Sequence, residues 1–575
     1  MKALQKIKKL RKLYSDEMYG DFQVLQRNVL AATVSAGREN TVRIRAVIKD
    51  LLYENDCRLG IKELTEGIKS ACKSDGNSFR FNDSELYAVQ NISALICLDM
   101  LYEAYNPKLL ENIAYTLRSI EQGDTEEFIR ELSETDAILR NKCGFYASSD
   151  PSTRSAYRRN AAELAKKYGI TQPEAAEKYS DEITSGNLLS AKSYRTVFFC
   201  IYIFGTLLLG TLCFLLFRTF GAENAGAYTA GKISGIYASG HWVMILSVIA
   251  ALISLIPLSE MIRQLCDRIF SGISHPESIP SLELKSVPDE GKTVVVITTL
   301  LFGGQKDDSV FTNLEHFYLG NRDKNICFGI LGDLPDSSDA FMPSDERSVK
   351  YAEERIAALN IKYGGGFCLF IRRRSRTKDG KFMGWERKRG AVIELSRLIA
   401  GRDTTFTTVI CDKEFISDTK YIITLDADTR LPLGGAKKMI AAMLHPSNNP
   451  VIKDGRVVKG HAILQPRIAT TADSAGCTPF SVLCTGAGGT DIYASAAYDT
   501  YQTLFDEGIF CGKGIIDIRV FFKLMDNRFP EETVLSHDLL EGSYLRSGII
   551  SSVTFSDSTP KNKVSYNKRL HRWIR

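Results

Sequence analysis

Length, composition and charge exclude several classes of protein. The chain has 575 residues, which is enough for about three or four domains and for a large buried core. Hydrophobic residues make up 44% and charged residues 25%, close to globular averages, so a disordered or fibrous chain is excluded. Because 73 Lys and Arg face 68 Asp and Glu, the net charge is too small to predict nucleic acid as a partner.

The cysteines and the first residues indicate a reducing compartment. Thirteen cysteines are scattered without a C-x-x-C pair, which predicts free thiols rather than a zinc site or a disulfide framework. The opening stretch MKALQKIKKLRKL is basic and amphipathic and lacks the apolar core of a signal peptide. We therefore expect the N-terminus in the cytosol.

Residues 1–190 are rich in helix formers and in charges of alternating sign. Asp83, for example, precedes a helical pattern as an N-cap would. No cluster of catalytic side chains is evident there. The sequence predicts a helical cytosolic domain with no assigned role.

Two apolar runs follow, within residues 194–262. Residues 197–217 carry no charge, and at about 1.5 Å per residue they span roughly 30 Å, the thickness of a hydrocarbon core. Residues 233–259 form a second charge-free run, in which we place a span at about 238–259. The alternative, two helices buried in a globular core, would rarely need apolar residues on every face.

The charges beside these runs predict their orientation. Lys192 and Arg195 precede the first run, and Arg263 and Arg268 follow the second, whereas the short connection carries few charges. Because Lys and Arg collect on the cytosolic side, both long flanks should face the cytosol. We expect a multi-pass protein of the cytoplasmic membrane.

Short apolar runs alternate with helical patterns in residues 290–575. The runs predicted as strands are 293–300, 326–331, 367–371, 421–425 and 461–464. The patterns predicted as helices are 348–359, 388–400 and 435–444. This alternation predicts an α/β domain with a largely parallel sheet, whose ligands bind beyond the carboxyl ends of the strands.

Two carboxylates follow the apolar run YIITL. In the segment DAD, Asp426 and Asp428 are two residues apart, and in an extended chain they point the same way. Both can therefore address one hard cation such as Mg²⁺ or Mn²⁺, which prefers oxygen ligands and phosphate. An isolated D-x-D is often a solvated turn, but its place at a strand end favours a metal–diphosphate site.

Weaker signals lie on either side of this pair. Asp333 and Asp336 follow another strand and could accept hydrogen bonds from a base or ribose, or simply form an acidic turn. Lys388 opens a helical pattern, and the positive end of a helix suits phosphate. Asp538 lies at the start of another helical pattern. It could act as a general base, or its negative charge could simply stabilise the helix dipole. The final segment RLHRWIR could bind a diphosphate through its arginines and stack its tryptophan on a sugar ring, or it could be a basic segment at the membrane surface.

In this order, the motifs resemble those of processive, inverting, membrane-bound GT-A glycosyltransferases. The segments TLDADTRLP, GHAILQPR, YQTLFDEGIFCGKGIIDI, RFPEETVLSHDLLEG and RLHRWIR more closely resemble the transferase part of cyclic β-1,2-glucan synthases. The resemblance covers residues 190–575 and is most specific over 420–575. It implies a GT-A-like domain after two transmembrane helices, and transfer of glucose from UDP-glucose to a growing β-1,2-glucan.

The resemblance also implies roles for individual residues. Asp333 would bind uracil or ribose, Lys388 a phosphate, and Asp426 the diphosphate. Asp426 and Asp428 would hold the divalent cation, and Asp538 would be the catalytic base. The roles expected at the C-terminus are a charge clamp for Arg572 and stacking on the acceptor for Trp573.

The resemblance also implies that the glucan grows on a tyrosine of the protein itself. The cluster Tyr493, Tyr498 and Tyr501 is the candidate region, although buried aromatic packing is the better explanation for any one of them. Since family members continue far beyond the Arg-Trp motif, we expect this chain to be a fragment of a longer enzyme. Two other readings stay open. One is another membrane polysaccharide synthase, cellulose- or hyaluronan-synthase-like, and the other is a non-catalytic membrane fragment that binds the nucleotide sugar.

Overall fold

The computed structural model describes residues 38–74, 107–122, 129–130, 132–184, 189–228, 240–273, 279–485, 500–533 and 537–574, with Ser93, Ile96, Cys97 and Met100. The chain divides into two compact units, residues 1–187 and 188–575. Asp83, the predicted helix cap, lies outside the described residues.

The regular elements described in the N-terminal unit are helices. They are α1 (Arg38–Glu54), α2 (Ile61–Ser74), α3 (Pro107–Gln122), α4 (Glu134–Lys142), α5 (Pro151–Tyr168), α6 (Gln172–Lys178) and α7 (Ser180–Thr184). Buried Asp136 accepts hydrogen bonds from Tyr146 and Arg158 at 2.6 and 3.0 Å. Because a buried carboxylate needs such partners, this cluster ties α4 to α5.

Two long helices open the second unit: α8 (Leu189–Tyr228) and α9 (Gly240–Ile273). Within them, Arg195–Thr219 and Met244–Phe270 are long and apolar enough to cross a membrane, and only 6% of each apolar window is buried inside the protein. Within the described residues, these two helices are therefore not buried in a globular core. The second helix extends beyond the predicted span 238–259, through Pro257 to Ile273.

The rest of the second unit is a mixed α/β domain. Its strands are β1 (Thr293–Leu300), β2 (Ile326–Asp333), β3 (Phe367–Arg372), β4 (Arg374–Arg376), β5 (Phe382–Gly384), β6 (Phe406–Ile410), β7 (Tyr421–Asp426), β8 (Val451–Lys453), β9 (Arg456–Lys459), β10 (Ile463–Thr470), β11 (Gly514–Asp517) and β12 (Ser547–Asp557). Its helices are α10 (Asp308–Asn321), α11 (Pro343–Tyr363), α12 (Arg387–Ile399), α13 (Lys413–Asp418), α14 (Gly435–Leu444), α15 (Ala472–Ala475), α16 (Pro479–Thr485), α17 (Thr500–Phe505), α18 (Ile518–Met525), α19 (Asp538–Leu545) and α20 (Lys563–Ile574).

One eight-stranded sheet organises this domain, with strand order β12-β10-β11-β7-β1-β2-β3-β6. β7, β1, β2 and β3 are parallel neighbours, and β10 is parallel to β12. β11 and β6 are antiparallel to their neighbours, so the sheet is mixed where the sequence predicts a largely parallel one. From β1 the chain continues through β2, β3 and β6 on one side of the sheet and returns with β7 on the other side, which makes the β1–β7 boundary the topological switch point.

Apolar side chains cover both faces of the sheet. Along β1, Val295 and Ile297 pack in one buried cluster, and Val294 and Val296 pack in the other. Because alternate side chains of a strand point to opposite faces, a run of buried apolar residues is what a strand covered on both sides requires. This explains why the central strands are legible in the sequence.

The strand β10, which lies between β12 and β11, differs from its prediction. It runs from Ile463 to Thr470 rather than over 461–464, and it pairs along this length with β12. Its last six residues, QPRIAT, have no alternating apolar pattern, so pairing with β12 defines this part of the strand.

Candidate active site

Acidic residues end two strands that flank β1. Asp333 is the last residue of β2 and Asp426 the last of β7. β1 lies between these strands, with Leu300 opposite Asp333 and Thr298 opposite Asp426. The two predicted carboxylates therefore share the carboxyl edge of the sheet at the switch point, where ligands of such sheets bind.

Asp333 is engaged by a buried arginine. Arg372 donates from Nε to Oδ1 at 2.8 Å and from Nη2 to Oδ2 at 2.7 Å, and its side chain is 0% exposed. Arg372 also donates to the carbonyls of Trp385 and Arg387. The pair thus fixes the segment before α12 against the end of β2.

This segment brings Lys388 to the other carboxylate. Glu386 and Arg387 have φ angles of 51° and 48°, a left-handed turn that lets α12 start directly beside the sheet edge. Lys388, in the first turn of α12, donates to Asp426 Oδ1 at 2.5 Å. The predicted phosphate ligand and the predicted diphosphate ligand are therefore in contact.

A second lysine contacts Asp426 from the other side. Lys513 Nζ lies 3.1 Å from Asp426 Oδ2 and also donates to Asp557 Oδ2. Burial opposes ionisation of Asp426, but the two ammonium groups outweigh it and hold its pKa below the usual range. Asp426 is thus a carboxylate at neutral pH.

Asp428 lies on the turn after β7 and is more open to solvent. Its side chain is 46% exposed, and Arg569 Nη2 of α20 lies 3.7 Å from its Oδ2. Burial of the carboxyl, together with the negative charge of Asp557, raises the pKa of Asp428. Within the described residues, this second carboxylate of the D-x-D pair keeps an exposed edge on which a cation can bind.

Asp538 joins the same group of charges from a distant part of the chain. It is the first residue of α19, and a Cβ on Gly512 would lie 3.0 Å from its Oδ1. Burial raises the pKa of Asp538, with opposing effects from the charges of Lys388 and Asp426. Asp538 thus lies beside the residue that precedes Lys513, which contacts Asp426, and Asp333 ends a strand two places from β7 at the same sheet edge.

A histidine and a glutamate accompany Asp538. His537 Nδ1 lies 3.0 Å from Glu541 Oε1 and 3.5 Å from Asp538 Oδ1. The ligand atoms of these three residues all lie within 4.8 Å of one another, a spacing compatible with a metal ion. Burial lowers the pKa of His537, but the hydrogen bond with Glu541 and the negative charges of Glu541 and Asp538 together outweigh burial and raise that pKa. Because His537 pairs with both carboxylates, we interpret the trio as support for Asp538.

Some predicted residues lie outside the described part of the structure. Arg572 and Trp573 belong to α20, but their side chains are not described. Tyr493 and Tyr498 are not described, and of Tyr501 only its place in α17 is. The roles predicted for these residues stay predictions.

Sequence reasoning missed three residues of the site. Arg372 ends a strand without any motif, and Asp557 lies in the unremarkable segment TFSDSTP. Lys513 lies in the quoted segment FCGKGIID, but nothing in that segment assigns it a role. Only the pairing of β3, β11 and β12 with distant strands brings them to Asp333 and Asp426.

Comparison with known proteins agrees with the motifs. No family model matches the chain. Over 502 residues, or 81% of the chain, it is 30% identical to the cyclic beta-(1,2)-glucan synthase NdvB of Rhizobium meliloti (strain 1021). The match covers 17% of that protein, so the chain spans a small part of its relative's length. The resemblance seen in the motifs is thereby confirmed, and the chain is a relative of a cyclic β-1,2-glucan synthase.

Proposed function

We propose that this chain transfers glucose from UDP-glucose to a growing β-1,2-glucan, with inversion and processively, at the cytosolic face of a membrane. The α/β domain would be a GT-A-like glycosyltransferase anchored by α8 and α9. The acceptor glucan, which the resemblance implies is linked to the protein, would approach from the side of Asp538.

One observation carries this proposal. Asp538 begins a helix more than a hundred residues after Asp426, yet it lies beside Gly512, the residue before Lys513, which contacts Asp426. A carboxyl with a raised pKa beside a cationic, carboxylate-lined edge is the pairing that glycosyl transfer from a nucleoside diphosphate needs. The relative's name supports glucan as the product.

The carboxylates at this edge fit a divalent cation. Asp428 presents a carboxylate that is 46% exposed beside Asp426, and hard oxygen donors are the ligands that Mg²⁺ and Mn²⁺ prefer. A cation bound by Asp426 and Asp428 would supply positive charge that stabilises the departing diphosphate.

The residues of the chain would orient the donor. Lys388 lies at the N-terminal end of α12, where its ammonium and the helix dipole both favour a phosphate. Asp333, held by Arg372, would accept a hydrogen bond from the uracil or ribose with the part of its carboxylate that stays exposed, 12% of the side chain. Arg372 is too buried to reach the nucleotide and instead fixes Asp333.

Asp538 would perform the proton transfer. Its carboxylate takes the proton from the 2-hydroxyl of the acceptor as that oxygen bonds to C1 of glucose. The bond between C1 and the phosphate oxygen breaks on the opposite face, and UDP leaves with the electron pair. One in-line displacement converts an α-linked donor into a β-linked product.

The test is incubation of membranes containing the chain with radiolabelled UDP-glucose and Mg²⁺ or Mn²⁺. We expect label in β-1,2-linked glucan for the wild type and none for Asp426→Asn or Asp538→Asn. Asp473→Asn is the matched control, because Asp473 is 83% exposed and its cation Arg430 is 3.7 Å away at the surface.

Linkage analysis of the product decides between the readings. A β-1,4 or alternating product would point to a cellulose- or hyaluronan-synthase-like enzyme. Binding of UDP without incorporation by the wild type would contradict the proposal and leave a non-catalytic membrane protein.

A further inference from the structure

Lys513 occupies a confined position between two carboxylates. Its side chain is 11% exposed, and its Nζ contacts Oδ2 of both Asp426 and Asp557. These two contacts hold the positive charge of Lys513 at the sheet edge.

The chain around Lys513 holds it in place. Gly512 and Gly514 have φ angles of 79° and 156°, and a Cβ on Gly514 would lie 2.4 Å from the carbonyl oxygen of Leu464. The backbone of β11 thus passes closer to β10 than any larger residue allows. This close approach keeps the Lys513 side chain at the edge where β7 ends.

Asp557 is attached directly to the loop that carries Asp428. Arg430 N donates to Ser556 O at 2.8 Å, and Thr429 Oγ1 donates to Asp557 Oδ1 at 2.7 Å. Asp557 ends β12, which points in the same direction as β7. A third carboxylate, 17% exposed, therefore lies at the same edge as the D-x-D pair.

We propose that Asp557 is a third carboxylate of the cation site and that the Lys513 ammonium occupies this site until a divalent cation binds. The inference rests on the proposed function, because that proposal assigns the cation to Asp426 and Asp428. Three carboxylates close together repel one another, so a site without its metal ion needs a counter-charge. Lys513 supplies one, and a divalent cation with its oxygen preference displaces it.

The displaced ammonium has a second use. Lys388 contacts Asp426 Oδ1 and Lys513 contacts Oδ2, so the two lysines flank the position where the diphosphate would bind. Once Lys513 leaves the carboxylates, it can pair with the phosphate oxygens from the side opposite Lys388. Cation binding and diphosphate binding would then be coupled through one side chain.

The test measures Mn²⁺ binding to the purified full chain in detergent, without nucleotide, from the electron paramagnetic resonance signal of free Mn²⁺. Asp557→Asn should weaken Mn²⁺ binding by about tenfold or more, as expected when a carboxylate of a metal site is lost. Lys513→Met should strengthen binding by at least about threefold, because the competing ammonium is gone. This gain cannot result from misfolding. Asp473→Asn should leave binding unchanged.

The double variant Lys513→Met with Asp557→Asn tests whether Asp557 binds the cation itself or only holds Lys513 in place. If Asp557 binds the cation, Asp557→Asn still weakens Mn²⁺ binding when Lys513 is already Met. If Asp557 acts only by holding Lys513, it has no effect there, and the inference is overturned. The Mn²⁺ assay contains no sugar, so its result is independent of the transfer assay. If the wild type transfers glucose but Asp557→Asn binds Mn²⁺ as the wild type does, only the inference about Asp557 is rejected. If Mn²⁺ binding changes as expected but the wild type transfers no glucose, only the proposed function is rejected.

Discussion

Replacing Asp333 by Asn should destabilise the α/β domain, whatever its effect on nucleotide binding. Asp333 makes two charge-assisted hydrogen bonds with Arg372, whose side chain is 0% exposed. Asn keeps one acceptor but turns an NH₂ donor toward the guanidinium, so one bond is lost and two donors face each other. Removing one partner of a buried ion pair costs about 3–5 kcal/mol.

The surroundings of Arg372 place the cost at the lower end of this range. Glu394 Oε1 lies 4.0 Å from Arg372 Nη1, and two backbone carbonyls still accept from the guanidinium. The charge therefore keeps some compensation, and we expect a loss of about 3 kcal/mol. At about 2 °C per kcal/mol for a large domain, the midpoint of thermal unfolding should fall by about 6 °C.

The assay is thermal unfolding of the chain in detergent, followed by intrinsic fluorescence. Asp336→Asn is the matched control, since Asp336 pairs with Arg387 in the same loop but both side chains are largely exposed, at 42% and 60%. Such surface pairs contribute little, so its midpoint should move by about 1 °C or less. Equal midpoints for the two variants would refute the argument that the Asp333–Arg372 pair fixes this edge.

Four further outcomes follow from the surroundings of Asp538. Asp538→Asn should lower kcat by about 10²–10⁴-fold with little change in UDP affinity, and unchanged kcat would remove Asp538 as the base. The base must be ionised to act, and the pKa of Asp538 is raised above 3.8. The kcat/KM of the wild type should therefore fall as pH decreases through a pKa higher than that of an ordinary Asp. A fall in kcat/KM with a pKa of 3.8 or below would contradict this. The pKa of His537 is raised above 6.5 by Glu541, so stabilisation by this pair is fully present below pH 6.5 and is lost as pH rises through the folded-state pKa. The unfolding midpoints of wild type and His537→Gln should therefore differ more at about pH 6 than at about pH 9, and a pH-independent difference would be inconsistent. Gly512→Ala, at φ 79° with its Cβ 3.0 Å from Asp538 Oδ1, should reduce kcat by about tenfold or more through displacement of the base, and wild-type rates would show that this carboxylate is not the one that acts.

Some of this protein could be predicted from the sequence alone. The central strands are continuous apolar runs, since both faces of the sheet are covered, and β1 has the predicted bounds Thr293–Leu300. The two long apolar helices were also predictable, because each contains a charge-free run long enough to span a hydrocarbon core. Asp333 and Asp426 were found because they directly follow such runs.

The tertiary structure alone decided how these parts combine. β11 is a four-residue strand that was not predicted from the sequence, and its antiparallel position beside β7 depends on pairing across the sheet, which no local pattern specifies. The positions of Arg372, Lys513 and Asp557 follow from that pairing and not from any motif of their own. A sequence shows which residues end strands, whereas contacts between side chains on distant strands depend on strand order and register.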